Sequence, residues 1–321
     1  MRPRVIHTRA GKGGSLSRPG ALVTGVLVCA AWLSAAGCLR HAEPPAPAET
    51  RLVSTAPNLT ECVCAIGAEA LLVGRTESCD FPPEHVRDIP VTGGFGTPYL
   101  EPLLAVRPTH VLETVLADPE IVRRLEALKI PVVHVACTRL AEIPGALRQL
   151  GQLTGHAGQA DPLAAEIQAG LDAARAAPSD PARRPRVLLL FAPDTPITAG
   201  RNAFVAELLE LAGGVNLGRG STTDYYHVSL EWVLEQDPDL LLCLFDTGPR
   251  QPLELFAGQT GWKALSAIRD GRVYTVPDLS TVSRPGPRVL HGLHQLRALL
   301  AQDARRFPAA ARANPTEAHA D

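Results

Sequence analysis

Short apolar runs alternate along this chain with stretches whose apolar positions recur at helical spacing. In the first half the runs at 52–55, 71–75, 109–113 and 131–136 read as strands, with helices between them. Asn58 followed three residues later by Glu61, ahead of an apolar run, predicts a capped helix start that closes at Gly67. In the second half, strands are expected at 187–191, 240–245 and 272–276, and helices at 204–211 and from about 287 to 302. Strands that alternate with helices predict an α/β fold with mainly parallel sheets covered on both faces.

Between the halves lies an Ala-rich stretch, 157–180, with Leu163, Ile167 and Leu171 at spacing four, which reads as one long helix. The expected organisation is a lobe over 51–156, this connecting helix, a second lobe over 181–306 and a disordered tail over 307–321. An internal echo supports it: LEPLLAVRPT at 100–109 aligns with LEWVLEQDPD at 230–239, at an offset of 130 residues. In each copy a short amphipathic helix stops at a proline and an apolar strand follows.

The first 37 residues differ in kind. Arg2, Arg4, Arg9, Lys12 and Arg18 stand without an acidic residue before an apolar run at 21–37, which reads as an export signal. Small residues Ala35, Ala36 and Gly37 directly precede Cys38, a pattern similar to the lipobox of bacterial lipoproteins, although Ala35 stands where those proteins usually carry Leu. Cleavage there implies lipidation of Cys38, a membrane tether through the Pro/Ala-rich linker at 38–50, and a mature protein outside the cytoplasm. Losing five basic residues leaves 26 basic against 33 acidic, a net charge of −7. A mildly acidic chain without a basic run gives nucleic acid no footing. Of seven cysteines, five remain beyond Cys38. Cys62 or Cys64 pairing with Cys79 stays open, but buried reduced thiols are the expected state.

Several segments then fall in order: RLVSTAPNLTE at 51–61, VGRTESCDFPP at 73–83, Leu100-Glu101 with RPTHV at 107–111, LELAGGVN at 209–216, VSLE at 228–231 with Asp237-Pro238-Asp239, and RPGPR at 284–288. In that order and spacing they resemble the helical-backbone periplasmic binding proteins of cobalamin and iron-siderophore ABC importers, across nearly the whole chain after the leader. The resemblance implies two Rossmann-like lobes on one backbone helix, ligand in the cleft between them, a small hinge motion and no catalysis. It also implies that Glu101 and Glu210, one per lobe, dock onto arginines of the importer's permease, and the protein is expected to act as a monomer.

Ligands of open α/β sheets sit beyond the strand C-termini. Aromatic residues are only 4% of the chain, yet Phe81, Phe95, Tyr99, Tyr225 and Tyr226 fall in such loops, as a flat ligand requires. Ser78, Asp80, Thr198, His227 and Ser283 are candidate hydrogen-bonding partners. Arg284 offers a guanidinium to a carboxylate, phosphate or amide of the ligand. No resident cofactor or structural metal is expected; a corrinoid or an iron complex would be cargo. The cobalamin branch commonly carries Trp or Tyr where this chain has Ser78, Gly94-Phe95, Ile197 and Tyr225, so two aromatic positions are missing. A corrinoid leads, with a ferric siderophore or haem as alternatives, the latter through Tyr99, Tyr225 or His227 as axial ligand. A sensor lipoprotein and an exported hydrolase are less favoured; Gly-x-Ser-x-Gly and His-Glu-x-x-His motifs are absent.

Overall fold

The computed structural model describes residues 49–115, 118–178, 184–192 and 194–307; the leader, Cys38, the linker up to residue 48 and the tail beyond Phe307 lie outside them. From Glu49 the chain runs through β1 (Leu52–Ser54), α1 (Pro57–Ala65), β2 (Leu72–Thr76), α2 (Pro83–Val86), β3 (Val91–Gly94), β4 (Thr97–Pro98), α3 (Leu100–Ala105), β5 (His110–Glu113), α4 (Pro119–Ala127), β6 (Val132–His134) and α5 (Ile143–Thr154). The strands make one sheet in the order β4-β3-β2-β1-β5-β6, parallel throughout except for the β3–β4 pair. That pair turns at Phe95 and Gly96. Gly93 is required there, because at φ 151° a Cβ would meet Pro98 Cα at 2.5 Å.

The expected backbone helix is α6 (Ala157–Ala176), which buries Ala160, Ala164, Ile167, Leu171 and Ala174. Its closest neighbour is α5, where Gly151 brings the helices so near that an added Cβ would stand 2.4 Å from that of Ala160. After it come β7 (Arg186–Leu190), β8 (Ile197–Ala199), α7 (Phe204–Ala212), β9 (Val215–Asn216), β10 (Tyr225–His227), α8 (Leu230–Gln236), β11 (Leu240–Cys243), α9 (Pro252–Phe256), α10 (Ser266–Arg269), β12 (Val273–Tyr274), α11 (Leu279–Ser283) and α12 (Val289–Arg306). A parallel sheet β12-β11-β7-β9 forms the second lobe, beside an antiparallel ribbon of β8 and β10. The main core runs without a break from Leu52 and Leu147 through Ile167 and Leu171 to Leu208, Leu293 and Leu296, so α6, α7 and α12 carry apolar packing from one lobe into the other.

The internal echo is built into the hydrogen bonding. Arg51, ahead of β1, donates its guanidinium to the carbonyls of Val106 and Arg107 at the end of α3, while its own N–H is taken by Thr109 Oγ1 at 2.8 Å. Arg186, opening β7, reaches the Asp237 carbonyl and Gln236 at the end of α8, and its N–H is taken by Asp239 Oδ2 at 2.7 Å. In both copies the residue before the proline is left-handed, Arg107 at φ 46° and Asp237 at φ 35°. One structural device was repeated once per lobe.

One local expectation is corrected. Pro57 occupies the first turn of α1 and moves the N-cap to Ala56, which has no side-chain cap, so Asn58 and Glu61 form no capping box. Both side chains instead reach across to the other lobe. The five described cysteines are free thiols, so Cys62, Cys64 and Cys79 form no disulfide.

Candidate ligand-binding cleft

In the first sheet β1 is flanked by β2 on one side and β5 on the other, so the loops after β1 and β5 diverge and leave a crevice. A cavity of about 680 Å³ opens there, between the lobes. Its first-lobe wall is made by Pro57 and Asn58 after β1, Ser78, Phe95, Thr114 and Val115 after β5, and Cys137 to Arg139 with Glu142. Asn202 to Phe204, Asp224, Tyr225 and Ser283 to Pro285 close it from the second.

Phe95 and Tyr225 enter this space from opposite lobes and keep 53% and 47% of their surface exposed. Tyr225 is held edge-to-face against Phe191, with ring centroids 5.0 Å apart. Partial burial, with Asp224 adding to it, pushes the phenol above its ordinary pKa. Thr114 Oγ1 is buried in the same wall without a hydrogen-bond partner among the described residues.

Beneath the aromatic pair the lobes are fastened by charge. Glu61 of α1 is 3% exposed and accepts Arg284 Nη1 at 3.1 Å and, on both oxygens, Arg288 Nε and Nη2 at 2.8 Å. Asp80 takes a second bond from Arg284 at 2.6 Å, and Asp278 one from Arg288 at 2.8 Å. The hydrogen bond from Arg284 holds the Asp80 carboxyl below the usual carboxylate range. Asn58 Nδ2 donates to the carbonyls of both Cys137 and Pro285, and Cys137 Sγ donates to Pro285 as well. Farther along, Arg139 ion-pairs with Glu207 of α7, whose other oxygen accepts the Leu140 N–H at 3.1 Å.

Of the residues expected at the ligand, Ser78, Phe95, Tyr225, Ser283 and Arg284 line the cavity. Asp80 borders an adjoining hollow. Arg284 is not a free guanidinium, because Glu61 and Asp80 already occupy it. Phe81 lies under the Arg288 guanidinium, 3.9 Å from ring centroid to Cζ, which gives it a structural partner. Thr198 is fully buried in β8, Tyr226 donates its hydroxyl to the Gly218 carbonyl at 3.0 Å, and Tyr99 and His227 stand outside both hollows. Glu210 is not a free charge: it accepts Arg184 Nη2 at 2.8 Å and the Asn216 N–H at 3.2 Å at the end of α7. Among the described residues no group of His, Cys, Asp and Glu is placed to hold a metal ion. Sequence reasoning missed Thr114, Val115, Arg139, Glu61 and Arg288, whose roles depend on strand order and on partners far away in the chain.

Two parallel sheets on a shared helical backbone, with a polar and aromatic cavity at the strand ends between them, define a bilobal solute-binding protein. The chain belongs to the periplasmic binding protein family, whose profile matches residues 52–279. It is 28% identical over 278 residues to the vitamin B12-binding protein of Pectobacterium carotovorum subsp. carotovorum (strain PC1), covering 85% of this chain and 92% of that one. Among solved structures it is similar to the periplasmic heme-binding protein RhuT from Roseiflexus sp. RS-1 in apo form (TM-score 0.70, 27% identity, 80% of this chain and 99% of that one). It also shares the fold of the periplasmic vitamin B12 binding protein BtuF of Vibrio cholerae (TM-score 0.67, 23% identity, 79% and 98%). The family is a solute-binding group and works in the periplasm, in line with the expected export.

Proposed function

We propose that this protein captures a corrinoid in the interlobe cleft and delivers it to the permease of an ABC importer, from a lipid tether at Cys38. The carrying observation is the pair of exposed rings, Phe95 and Tyr225, reaching from opposite lobes into one cavity of about 680 Å³. Such faces bury a flat macrocycle at small entropic cost. The similarity to the Pectobacterium vitamin B12-binding protein over most of both chains supports the same cargo. A haem reading draws on the similarity to RhuT and on Tyr225 as the one tyrosine in the cavity wall. Against it, burial raises the Tyr225 phenol, and ferric haem is ligated by phenolate.

The test is equilibrium binding to the purified chain lacking its leader, by tryptophan quenching and calorimetry, with cobalamins, ferric siderophores and haem. Cobalamin binding at or below micromolar concentration is expected, and Tyr225→Ala should weaken it by about 1–3 kcal/mol, five- to two-hundredfold. Failure of every cobalamin at micromolar concentration refutes the cargo, and unchanged affinity in Tyr225→Ala removes that ring from the site.

Docking on the permease falls to Glu101 and Glu231 in this reading. The echo places them at matching positions, each in the first turn of its helix, α3 and α8, and each exposed and without an ion-pair partner among the described residues. Glu210, held by Arg184, is replaced in that role.

A further inference from the structure

The cavity between the lobes adjoins a second hollow of about 510 Å³ beyond the ends of β11 and β12, and Ser283 and Arg284 belong to both. Two cations, Arg139 and Arg284, stand in these walls, and each is ion-paired: Arg139 with Glu207 through Nη2, its Nε having no hydrogen-bond partner among the described residues, and Arg284 with Glu61 and Asp80. Among the described residues no lysine or histidine lines either hollow. The same walls carry Glu142 and Asp224 on one side and Asp80, Asp246 and Asp278 on the other. Arg284 and Arg288 neutralise Asp80 and Asp278, and the N–H groups of Thr138 and Arg139 hold Glu142. Asp224 and Asp246 have no cation within ion-pair reach among the described residues.

We infer that the cleft selects its cargo by charge, admitting a large ring ligand that is uncharged or cationic and excluding anions. An anion entering this space meets two unneutralised carboxylates, and each guanidinium in the walls already carries a carboxylate partner. Recruiting Arg284 would leave Glu61, almost wholly buried, with one partner fewer. A neutral ligand escapes both costs, and a cation gains from Asp224 and Asp246. The inference rests on the solute-binding reading and adds the charge class of the solute, which separates an amide-rimmed corrinoid from haem with its propionates or a ferric tricatecholate.

The test uses corrinoids of one shape and three charges: aquacobalamin as the cation, cyanocobalamin as the neutral form, and a cobalamin monocarboxylic acid as the anion. At low salt the cation and neutral form should bind alike or the cation tighter, with the anion weaker by about tenfold or more. The gap should narrow severalfold in Asp224→Asn and as salt is raised. A monocarboxylate that binds as tightly as cyanocobalamin, or a gap unmoved by Asp224→Asn, overturns the charge rule. Two ferric siderophores separate this from the cargo reading. Rejection of all corrinoids with capture of a cationic ferric trihydroxamate would refute the corrinoid and uphold the rule. Capture of a ferric tricatecholate or of haem would overturn the rule, and binding of none of these would overturn both.

Discussion

Glu61 ties the two lobes together by charge, and Glu61→Gln isolates that charge at constant volume. The carboxylate is 3% exposed and receives three guanidinium bonds of 2.8–3.1 Å from two arginines of the opposite lobe. Removing one partner of a buried ion pair costs about 3–5 kcal/mol, because the other charge is left unpaired out of water. Here the loss is smaller, since Arg284 keeps Asp80 and Arg288 keeps Asp278. About 2–3 kcal/mol is therefore expected, or a drop in Tm of about 4–12 °C for a chain of this size. The assay is urea unfolding followed by tryptophan fluorescence alongside calorimetry, and the thermal transition should broaden or split as the lobes lose coupling. A double-mutant cycle with Arg288→Met should return a coupling of about 1–3 kcal/mol. A midpoint within error of the wild type, or additive losses in the cycle, would refute the joint.

Lysine at both Glu101 and Glu231 should abolish corrinoid-dependent growth of a host relying on this protein while leaving solution affinity unchanged, and intact uptake would remove both from docking. Tyr274 should titrate near pH 12, because burial and the neighbouring Asp303 push it up to about 12; Asp303→Asn should bring it down, read from phenolate absorbance. Asp80 has a folded pKa below its unfolded one, so its contribution is present above about pH 4 and lost as pH falls through the folded value. Asp80→Asn should accordingly flatten the loss of stability on acidification below pH 4, and an unaltered acid limb would show the pair with Arg284 to be idle.

The strands and helices were legible because their signal is local. The buried strands β7 and β11 are continuous apolar runs, and α6 repeats its apolar positions at spacing four. The cleft was legible only in part. Phe95 and Tyr225 announced themselves as aromatics in a chain poor in them, although Tyr225 lies in the short strand β10 and not in the loop expected, but Thr114 gains its position only once β5 is known to lie beside β1. Asn58 and Glu61 matched a local capping pattern, and that reading failed because their partners, Pro285, Arg284 and Arg288, stand 223 to 227 residues away. The same distance concealed that Arg284 was already spent. Glu210 and Glu231 are both helix glutamates; the 130-residue echo pairs Glu231 with Glu101, and the matching hydrogen bonds of Arg51 and Arg186 give that pairing its structural basis.

The joint has a consequence for how affinity arises. Asn58, Glu61 and Cys137 all bind the segment 284–288, and that segment, with Ser283 just before it, supplies the cleft with Arg284 and Pro285. The floor of the cleft is thus fastened to both lobes by the protein's own groups, and a ligand gains little by drawing the lobes together. Binding free energy must then come from walls already in place, with the ordering cost met during folding. Phe95 and Tyr225 suit that regime, since edge contact with Phe191 fixes one ring and the Gly93 hairpin positions the other, yet about half of each surface stays open to be covered. A protein of this kind discriminates by shape and charge rather than by closure, so loosening Glu61 should lower affinity for every cargo alike, while changing Asp224 should alter only the ranking by charge.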